Sequence, residues 1–375
     1  MRIRVVQTTT EMALLAPDWN RLARGVPFRS FEWLDCWWRH YGQCDDESLR
    51  PDAALLALVA SDEQDAVVGI APWYCERSLT GGQVIRFLGS GEIYSDYLSV
   101  LSAPGREAEV AGAVADWLSQ SCCRDWDALE LTGVDAEDIT TRQLVSGLQH
   151  RGLALHVRPD LCCWRIDLPA TWEAYLDTLS KSHRKQMRRA ERRLDDDRLA
   201  CHTARSVDDA AQALEILIEL HQRRQRSLGR PGCFDSEQFV AFHRDAVRRL
   251  AAAGQARIDW IERDGQPIAA EYQLLGSDVV YAYQSGIAPE WLSLEPGRMV
   301  MVAAIRAAIA GRYRVYDFLR GDEPYKAHWR AVPRRTLRAR VVAPHRGARM
   351  RNSLWLARDA ARLWLKQSLV APPVR

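Results

Sequence analysis

One order of secondary-structure signals runs along this chain twice, and that repetition limits the folds open to it. In the first half, residues 65–74 (DAVVGIAPWY) read as a turn into an apolar strand. Val84 to Leu88 reads as a second strand, leading into Gly89-Ser-Gly. A helical stretch from about Arg106 to Cys122 follows, and then the strand Asp127-Ala-Leu-Glu-Leu-Thr-Gly. In the second half, Ile258 to Ile261 and Ile268 to Leu275 flank Asp264-Gly265, a dipeptide that favours a two-residue hairpin turn. Val279 to Tyr283 is the next strand. Pro296-Gly297-Arg298 opens a helix from about Met299 to Ala310, Gly311 caps it, and Val315 to Leu319 is a strand ending near Gly321. Hairpin, strand, glycine turn, helix and strand recur in the same order. The expected fold class is α/β (α+β): two tandem lobes, each a mixed, mostly antiparallel sheet flanked by helices.

The expected boundaries are residues 1–165 for the first lobe, 166–343 for the second and 344–375 for a basic tail. A length of 375 residues suits two cores of ordinary size. Charge divides the same way. Residues 1–163 hold 14 Arg/Lys against 24 Asp/Glu, and residues 164–375 hold 37 against 25. The second half therefore offers a field for an anionic partner.

Much of that field comes from residues 181–193 (KSHRKQMRRAERR), where seven of 13 residues are Lys or Arg, on a helix expected over 181–194. Lys181, Arg184, Lys185, Arg188 and Arg192 fall on one broad stripe at helical spacing, while Met187, Ala190 and Leu194 can face the protein. Such a helix is either a solvated face or an anion cradle. The tail is basic too. Its arginines and Lys366 are interspersed with Leu354, Trp355, Leu356, Leu363, Trp364 and Leu365, so the helix either lies on an anionic membrane surface or packs on the protein.

Nine cysteines, with the vicinal pairs Cys122-Cys123 and Cys162-Cys163, show neither a disulfide framework nor a zinc spacing, which reads as reduced thiols in a cytoplasmic protein. Residues 1–7 start like a strand, not a signal peptide. No apolar run approaches the roughly 20 residues that span a bilayer. Nucleophile elbow, P-loop, zinc-protease and dinucleotide motifs are missing from the sequence. Nothing in it marks a metal site.

The most informative stretch is 317–329 (DFLRGDEPYKAHW), where polarity rises sharply at a strand end. The chain has only four lysines against 47 arginines, and one of them, Lys326, stands here. Four carboxylates (Asp96, Glu130, Glu271 and Asp317) sit in or beside apolar strands. A buried carboxylate is costly unless paired, and an unpaired one can serve as a general base with a raised pKa.

The second half resembles the GNAT-like acyltransferase domain of bacterial proteins associated with cellulose and polysaccharide biosynthesis, a family related to the Fem peptidyltransferases. The matching stretches are LSKSHRKQMRRAERRL (179–194), GQPIAAEYQL (265–274), residues 294–329 and, in the first half, RFLGSGEIYSDYLSV (86–100). The resemblance implies two GNAT-like lobes side by side with an acceptor in the cleft between them, and transfer of an acyl group from acyl-CoA, expected to be acetyl-CoA, to an amine. Pro296, Gly297 and Arg298 would hold the pyrophosphate. Asp96, Glu271 or Asp317 would act as base, and Tyr325 as proton donor to the leaving thiolate. Arg184, Lys185, Arg188, Arg320, Lys326 and Trp329 would bind substrate. A backbone amide at a bulge near Glu271–Gln273 would meet the developing oxyanion. The acceptor would be an amino sugar, amino acid or related amine in cell-envelope polysaccharide or secondary-metabolite synthesis. Two alternatives stay open: a Fem-like enzyme that takes its acyl group from aminoacyl-tRNA, and a catalytically silent scaffold in a polysaccharide-synthesis complex. The tail would give peripheral contact with the inner face of the membrane.

Overall fold

A computed structural model describes residues 1–42, 53–78, 81–120, 126–196 and 198–369. The Cys122-Cys123 pair lies outside the described residues, as do the tail side chains from Arg362 onward. Fifteen strands occur among the described residues. They are β1 (Arg2–Val6), β2 (Ala53–Ser61), β3 (Val67–Ser78), β4 (Gly82–Phe87), β5 (Leu101–Ser102), β6 (Ala128–Asp135), β7 (Ala154–Pro159) and β8 (Cys163–Asp167). The rest are β9 (Leu199–Thr203), β10 (Ala256–Arg263), β11 (Gln266–Leu275), β12 (Val279–Ile287), β13 (Val315–Arg320), β14 (Val332–Arg334) and β15 (Thr336–Val342).

They form two sheets with one plan. The first runs β1-β2-β3-β4-β6-β15-β7, with β5 on β3, and the second, read in the same sense, runs β9-β10-β11-β12-β13-β8-β14. Each has one parallel pair, β4/β6 and β12/β13, and all other pairings are antiparallel. This is the mixed, mostly antiparallel architecture expected from the repeat. The Asp264-Gly265 turn takes positive φ at both residues (49° and 76°), as a tight hairpin requires.

The repeat also hides an exchange. The sixth place of the first sheet is filled by β15, from the far end of the chain, between β6 and β7. The sixth place of the second sheet is filled by β8, which directly follows β7 in sequence, between β13 and β14. Each lobe thus lends the other a strand. Residues 336–342 follow the second lobe in sequence but belong to the first sheet in space.

A continuous apolar core joins the lobes. Trp33 and Phe28 of the first lobe meet Phe242, Tyr283 and Tyr281 of the second, edge to face, at centroid distances of 4.9 to 5.5 Å. Such pairs are worth about 0.5–1.5 kcal/mol each beyond the area they bury. The helix Val207–Ser227 starts at a Ser206/Asp209 capping box and packs across β10, β11 and β12. The basic helix Lys181–Leu194 is capped by Ser180 and buries Met187 and Ala190. The tail forms the helix Arg346–Leu369. It turns Trp355 under the guanidinium groups of Arg158 and Arg340 and leaves Met350 and Leu354 exposed. Among the described residues no helix is long and apolar enough to cross a membrane.

Candidate active site

Strands β12 and β13 pair over three positions, Val279↔Val315 to Tyr281↔Asp317, and then part. β12 continues to Ile287 and β13 to Arg320. At the same level the register between β11 and β12 slips between Tyr272 and Gln273, where Tyr283 is the extra residue on β12. The expected irregularity near Glu271–Gln273 is therefore present, with its surplus residue on the facing strand.

A cavity of about 380 Å³ opens where the strands part. The second lobe contributes Glu271, Gln284, Phe318 and Tyr325 to its walls, and the first lobe contributes Tyr94 and Asp96. Glu271 is fully buried. Its Oε1 accepts a hydrogen bond from the Tyr316 hydroxyl, and its Oε2 has no partner among the described residues. Burial pushes its carboxyl up to about 8, against the pull of Tyr316. A carboxylate held this way is a stronger base than a solvated one and keeps one oxygen free.

Tyr325 begins the short helix Tyr325–His328 and rests its ring edge-on to Phe318 at 6.2 Å. It is 46% exposed, and partial burial raises its hydroxyl above the usual phenol range, which keeps it a proton donor.

Other predicted residues serve the site indirectly or not at all. Lys326 is 2% exposed. Its ammonium donates to the carbonyls of Leu319, Arg320 and Gly321 at 3.1, 3.0 and 3.0 Å and pairs with Glu323 at 2.9 Å. Its three protons are committed to the chain, so it pins the strand-end loop while its side chain lines the cavity wall. Both oxygens of Asp96 are taken by Arg320, one by the side chain and one by the backbone N–H at 3.1 Å. That pairing withdraws Asp96 from base duty. Arg320 also donates to Ser95 O at 2.8 Å and lies over the Tyr94 ring, so it walls the cavity while held across the lobes. Trp329 is buried and its carbonyl accepts from the Tyr175 hydroxyl, so it is core, not a ligand contact.

Asp317 departs from expectation in another way. Alternation along β13 sends it to the face opposite Phe318, into a second inter-lobe cavity of about 340 Å³ that also holds Arg29, Tyr97, Asp138 and Arg165. It accepts hydrogen bonds from the Tyr97 hydroxyl and the Leu319 N–H, and burial raises its carboxyl to about 7. Asp317 and Glu271 therefore belong to different cavities, and only Glu271 shares one with Tyr325.

The helix Pro296–Ala310 follows β12 in the chain and has no side-chain cap; Pro296 carries no N–H and the Arg298 N–H donates to the Glu295 carbonyl at 2.9 Å, which leaves the Gly297 N–H at its start. Glu295, in the left-handed region just before it, pairs with Arg298 and with Arg193 at 2.7 Å. Arg298 is thus partly neutralised by its neighbour. On the basic helix, Arg184 caps the carbonyls of Leu176 and Asp177, and Arg188 pairs with Glu173 and Glu191. Lys185 is exposed, with Lys181, Arg189 and Arg192 on the same side. Cys36, His40 and Asp245 place their ligand atoms within 4.8 Å of one another, the one such grouping among the described residues. It sits at the lobe junction, where Asp245 also holds Arg249.

Sequence reasoning missed Tyr316 and Tyr97, the phenols that orient Glu271 and Asp317. They lie 45 and 220 residues from their partners, and no local spacing signals such a pair.

Residues 181–327 match the family described as Acetyltransferase (GNAT) domain. Comparison with curated protein sequences gives no match. Among solved structures, FemX superposes with a TM-score of 0.63 at 9% identity, over 90% of this chain and 97% of that one. A conserved protein of unknown function from Bacteroides thetaiotaomicron superposes with a TM-score of 0.55 at 11% identity, over 91% and 100% of the two chains. At such identities the likeness is one of fold. Residues 181–327 of the second lobe are thus similar to the GNAT acetyltransferase domain, and over 90% of its length the chain shares the fold of FemX.

Proposed function

We propose that the protein is an N-acyltransferase that carries an acyl group from acyl-CoA to an amine in the cavity where β12 and β13 part. The observation that carries this reading is the convergence of a buried, half-free Glu271 and a proton-donating Tyr325 on that cavity. Beyond Tyr281 β12 pairs with no strand on the β13 side among the described residues; Gln284 and His221 take the Ser285 N–H and carbonyl, and the stretch between Tyr281 and Ser285 is where an extended donor arm would lie. The helix start at Pro296, Gly297 and Arg298, with Arg193 beside it, suits a pyrophosphate. Glu295 weakens that fit and sets its charge balance.

A thioester is already activated, so the chain's contribution is positioning and proton transfer. Glu271 takes the proton that the amine must lose. Amides at the β12 bulge face the charge that develops on the acyl oxygen. Tyr325 protonates the departing sulfur. Asp96 and Arg320 bind the first lobe to the rim, so the acceptor, an amino sugar, amino acid or related amine of polysaccharide or secondary metabolism, is shaped by both lobes. We set the reaction in the cytoplasm, in keeping with the six free cysteines among the described residues, and the tail helix at the membrane face through exposed Met350 and Leu354 among arginines.

One observation favours a second reading, transfer from aminoacyl-tRNA. Lys181, Lys185, Arg189 and Arg192 form a ridge of one cation per helical turn with no acidic partner among the described residues, a spacing that suits a phosphate backbone. Calorimetric titration separates the two. Micromolar acetyl-CoA binding supports the first reading. Salt-sensitive tRNA binding without CoA binding supports the second, and failure of both leaves a silent scaffold.

A further inference from the structure

The cavity that holds Glu271 and Tyr325 also exposes a thiol. Cys233 opens the short turn Cys233–Asp235 and lines the same wall as Gln284 and Ser285. Its Sγ lies 3.5 Å from His221 Nε2. His221 Nδ1 lies 3.0 Å from the Ser285 carbonyl. A carbonyl can only accept, so Nδ1 carries the proton and Nε2 presents its lone pair to the thiol. This is the tautomer a general base needs, fixed by a backbone group.

Gln284 completes the arrangement. Its Oε1 accepts from the Ser285 N–H at 3.0 Å, which orients its Nε2 to donate to Cys233 Sγ at 3.3 Å. A sulfur that gains negative charge therefore finds a donor already aimed at it.

The approach of the two side chains is built into the backbone. His221 sits on the helix Val207–Ser227, directly over β12. A Cβ on Gly286 of that strand would come within 2.6 Å of His221 N and 2.8 Å of Leu217 O. Gly232, at φ +81°, turns the loop into Cys233, and a Cβ there would meet Gln222 Oε1 at 2.2 Å. Burial raises the Cys233 thiol to about 11 and lowers His221 below the usual imidazole range. The resting pair is thus thiol and neutral imidazole, the state from which base-assisted attack starts.

We propose that Cys233, activated by His221, is a nucleophile that receives the acyl group as a thioester before the amine does. The proposal rests on the acyltransferase reading for its donor. His221 takes the thiol proton, the Cys233 sulfur bonds to the acyl carbon, and the bond from that carbon to the coenzyme sulfur breaks. Tyr325 protonates the departing sulfur, and His221 keeps the proton it received. The amine then bonds to the same carbon as the Cys233 thioester breaks. His221 returns its proton to the Cys233 sulfur, and the proton that the amine loses to Glu271 restores Tyr325 in the same cavity, so one thioester replaces another and no oxidant or further reactant is required.

The test uses the full chain, intact and peptide mass spectrometry, and two acyl probes without acceptor: acetyl-CoA and p-nitrophenyl acetate. The expected result is one acetyl group on the peptide carrying Cys233, lost in Cys233→Ser. It should form on the order of 10²-fold more slowly in His221→Asn, a variant that keeps a donor for Ser285 O but no base. Acylation by the ester without any acetyl-CoA binding supports the dyad and refutes the CoA reading. No acetyl on Cys233 from either probe overturns the proposal; if calorimetry then still shows acetyl-CoA bound, direct transfer stands. Equal acylation rates in wild type and a folded His221→Asn also overturn it. Should that variant not fold, the wild-type alkylation rate with iodoacetamide decides. It levels off below about pH 7 if His221 is the base, and an unassisted thiol keeps climbing toward its own pKa.

Discussion

Replacing Glu271 with Gln tests the site and its energetics together. The carboxyl rises from 4.5 to about 8 because it is wholly buried, with one oxygen unpartnered. The folded protein therefore holds this proton more tightly than the unfolded chain does. Stability from this group is fully present below about pH 4.5 and is lost as pH rises through about 8. At about 1.4 kcal/mol per pH unit the full effect is roughly 5 kcal/mol. Relaxation and water entry into a cavity-lining site reduce the observable to about 2–4 kcal/mol. Glu271→Gln has no proton to lose and keeps an amide oxygen for Tyr316. It should match wild type at pH 5 and exceed it by about 2–4 kcal/mol at pH 9, read from urea unfolding. Asp317, raised to about 7, titrates in both proteins and cancels in the difference. The same substitution should lower kcat/KM for acyl transfer by about 10²–10⁴-fold, and the wild-type rate should climb with pH toward about 8. Parallel stability curves for the two proteins between pH 5 and 9 would refute the claim that Glu271 carries a buried proton, and an active Glu271→Gln would remove it as the base.

Tyr325→Phe should lower kcat about 10²-fold with little change in KM for the acyl donor; an unchanged kcat means that another group protonates the thiolate. Lys326→Met strands three strand-end carbonyls and should cost about 3–5 kcal/mol in urea unfolding, whereas a purely substrate-binding lysine would change KM and leave stability alone. Glu295→Gln should tighten acetyl-CoA binding several-fold and Arg298→Ala weaken it to a similar degree, measured calorimetrically at low salt; the same shift in both variants contradicts a pyrophosphate at that helix start. A chain ending at Arg335 removes β15 from between β6 and β7 and should fail to give a cooperatively unfolding protein, although the second lobe keeps all its own strands. A soluble, cooperative fragment would show that the exchanged strand is dispensable.

The repeated plan was legible because hairpins, strands and helices write their periodicities locally. Asp264-Gly265 and the strands around it, or Pro296 to Gly311, can be read from a dozen residues each. The exchange of β8 and β15 was not legible. A strand's alternation is the same whichever sheet receives it, and β15 pairs with strands roughly 200 residues away. The polar burst after β13 was rightly read as a strand-end loop, but polarity does not reveal direction. Lys326 points inward to carbonyls that its own loop exposes, and Asp96 is used up by an arginine 224 residues distant. Period-two alternation could have separated Asp317 from Phe318 and Tyr325. Which face Glu271 shares with Tyr325 depends on how three strands stack in register, which is a tertiary fact. Cys233 and His221 meet across a loop held by Gly232, at a separation that belongs to no short motif.

The two sheets carry a carboxylate at the same cross-strand position, and it has a different fate in each lobe. Glu130 and Asp317 occupy the same register on the parallel strands, opposite Arg86 and Tyr281. The exchanged strands place an arginine directly across from each: Arg340 faces Glu130, and Arg165 faces Asp317. In the first lobe the pair is closed. Arg340 and Arg86 both bind Glu130, the latter at 2.7 Å, and Asn352 of the tail helix fixes Arg340. The carboxylate there is a fastener between the sheet, the exchanged strand and the tail. In the second lobe Tyr281 stands where Arg86 would, and the Arg165 guanidinium forms no ion pair with Asp317. Tyr97, reaching over from the first lobe, donates to Asp317 instead. A phenol stabilises a carboxylate less than two guanidinium groups do, so the second-lobe acid stays near its titration point. One duplicated position thus holds the first lobe closed, while in the second it leaves a protonatable group facing a cavity.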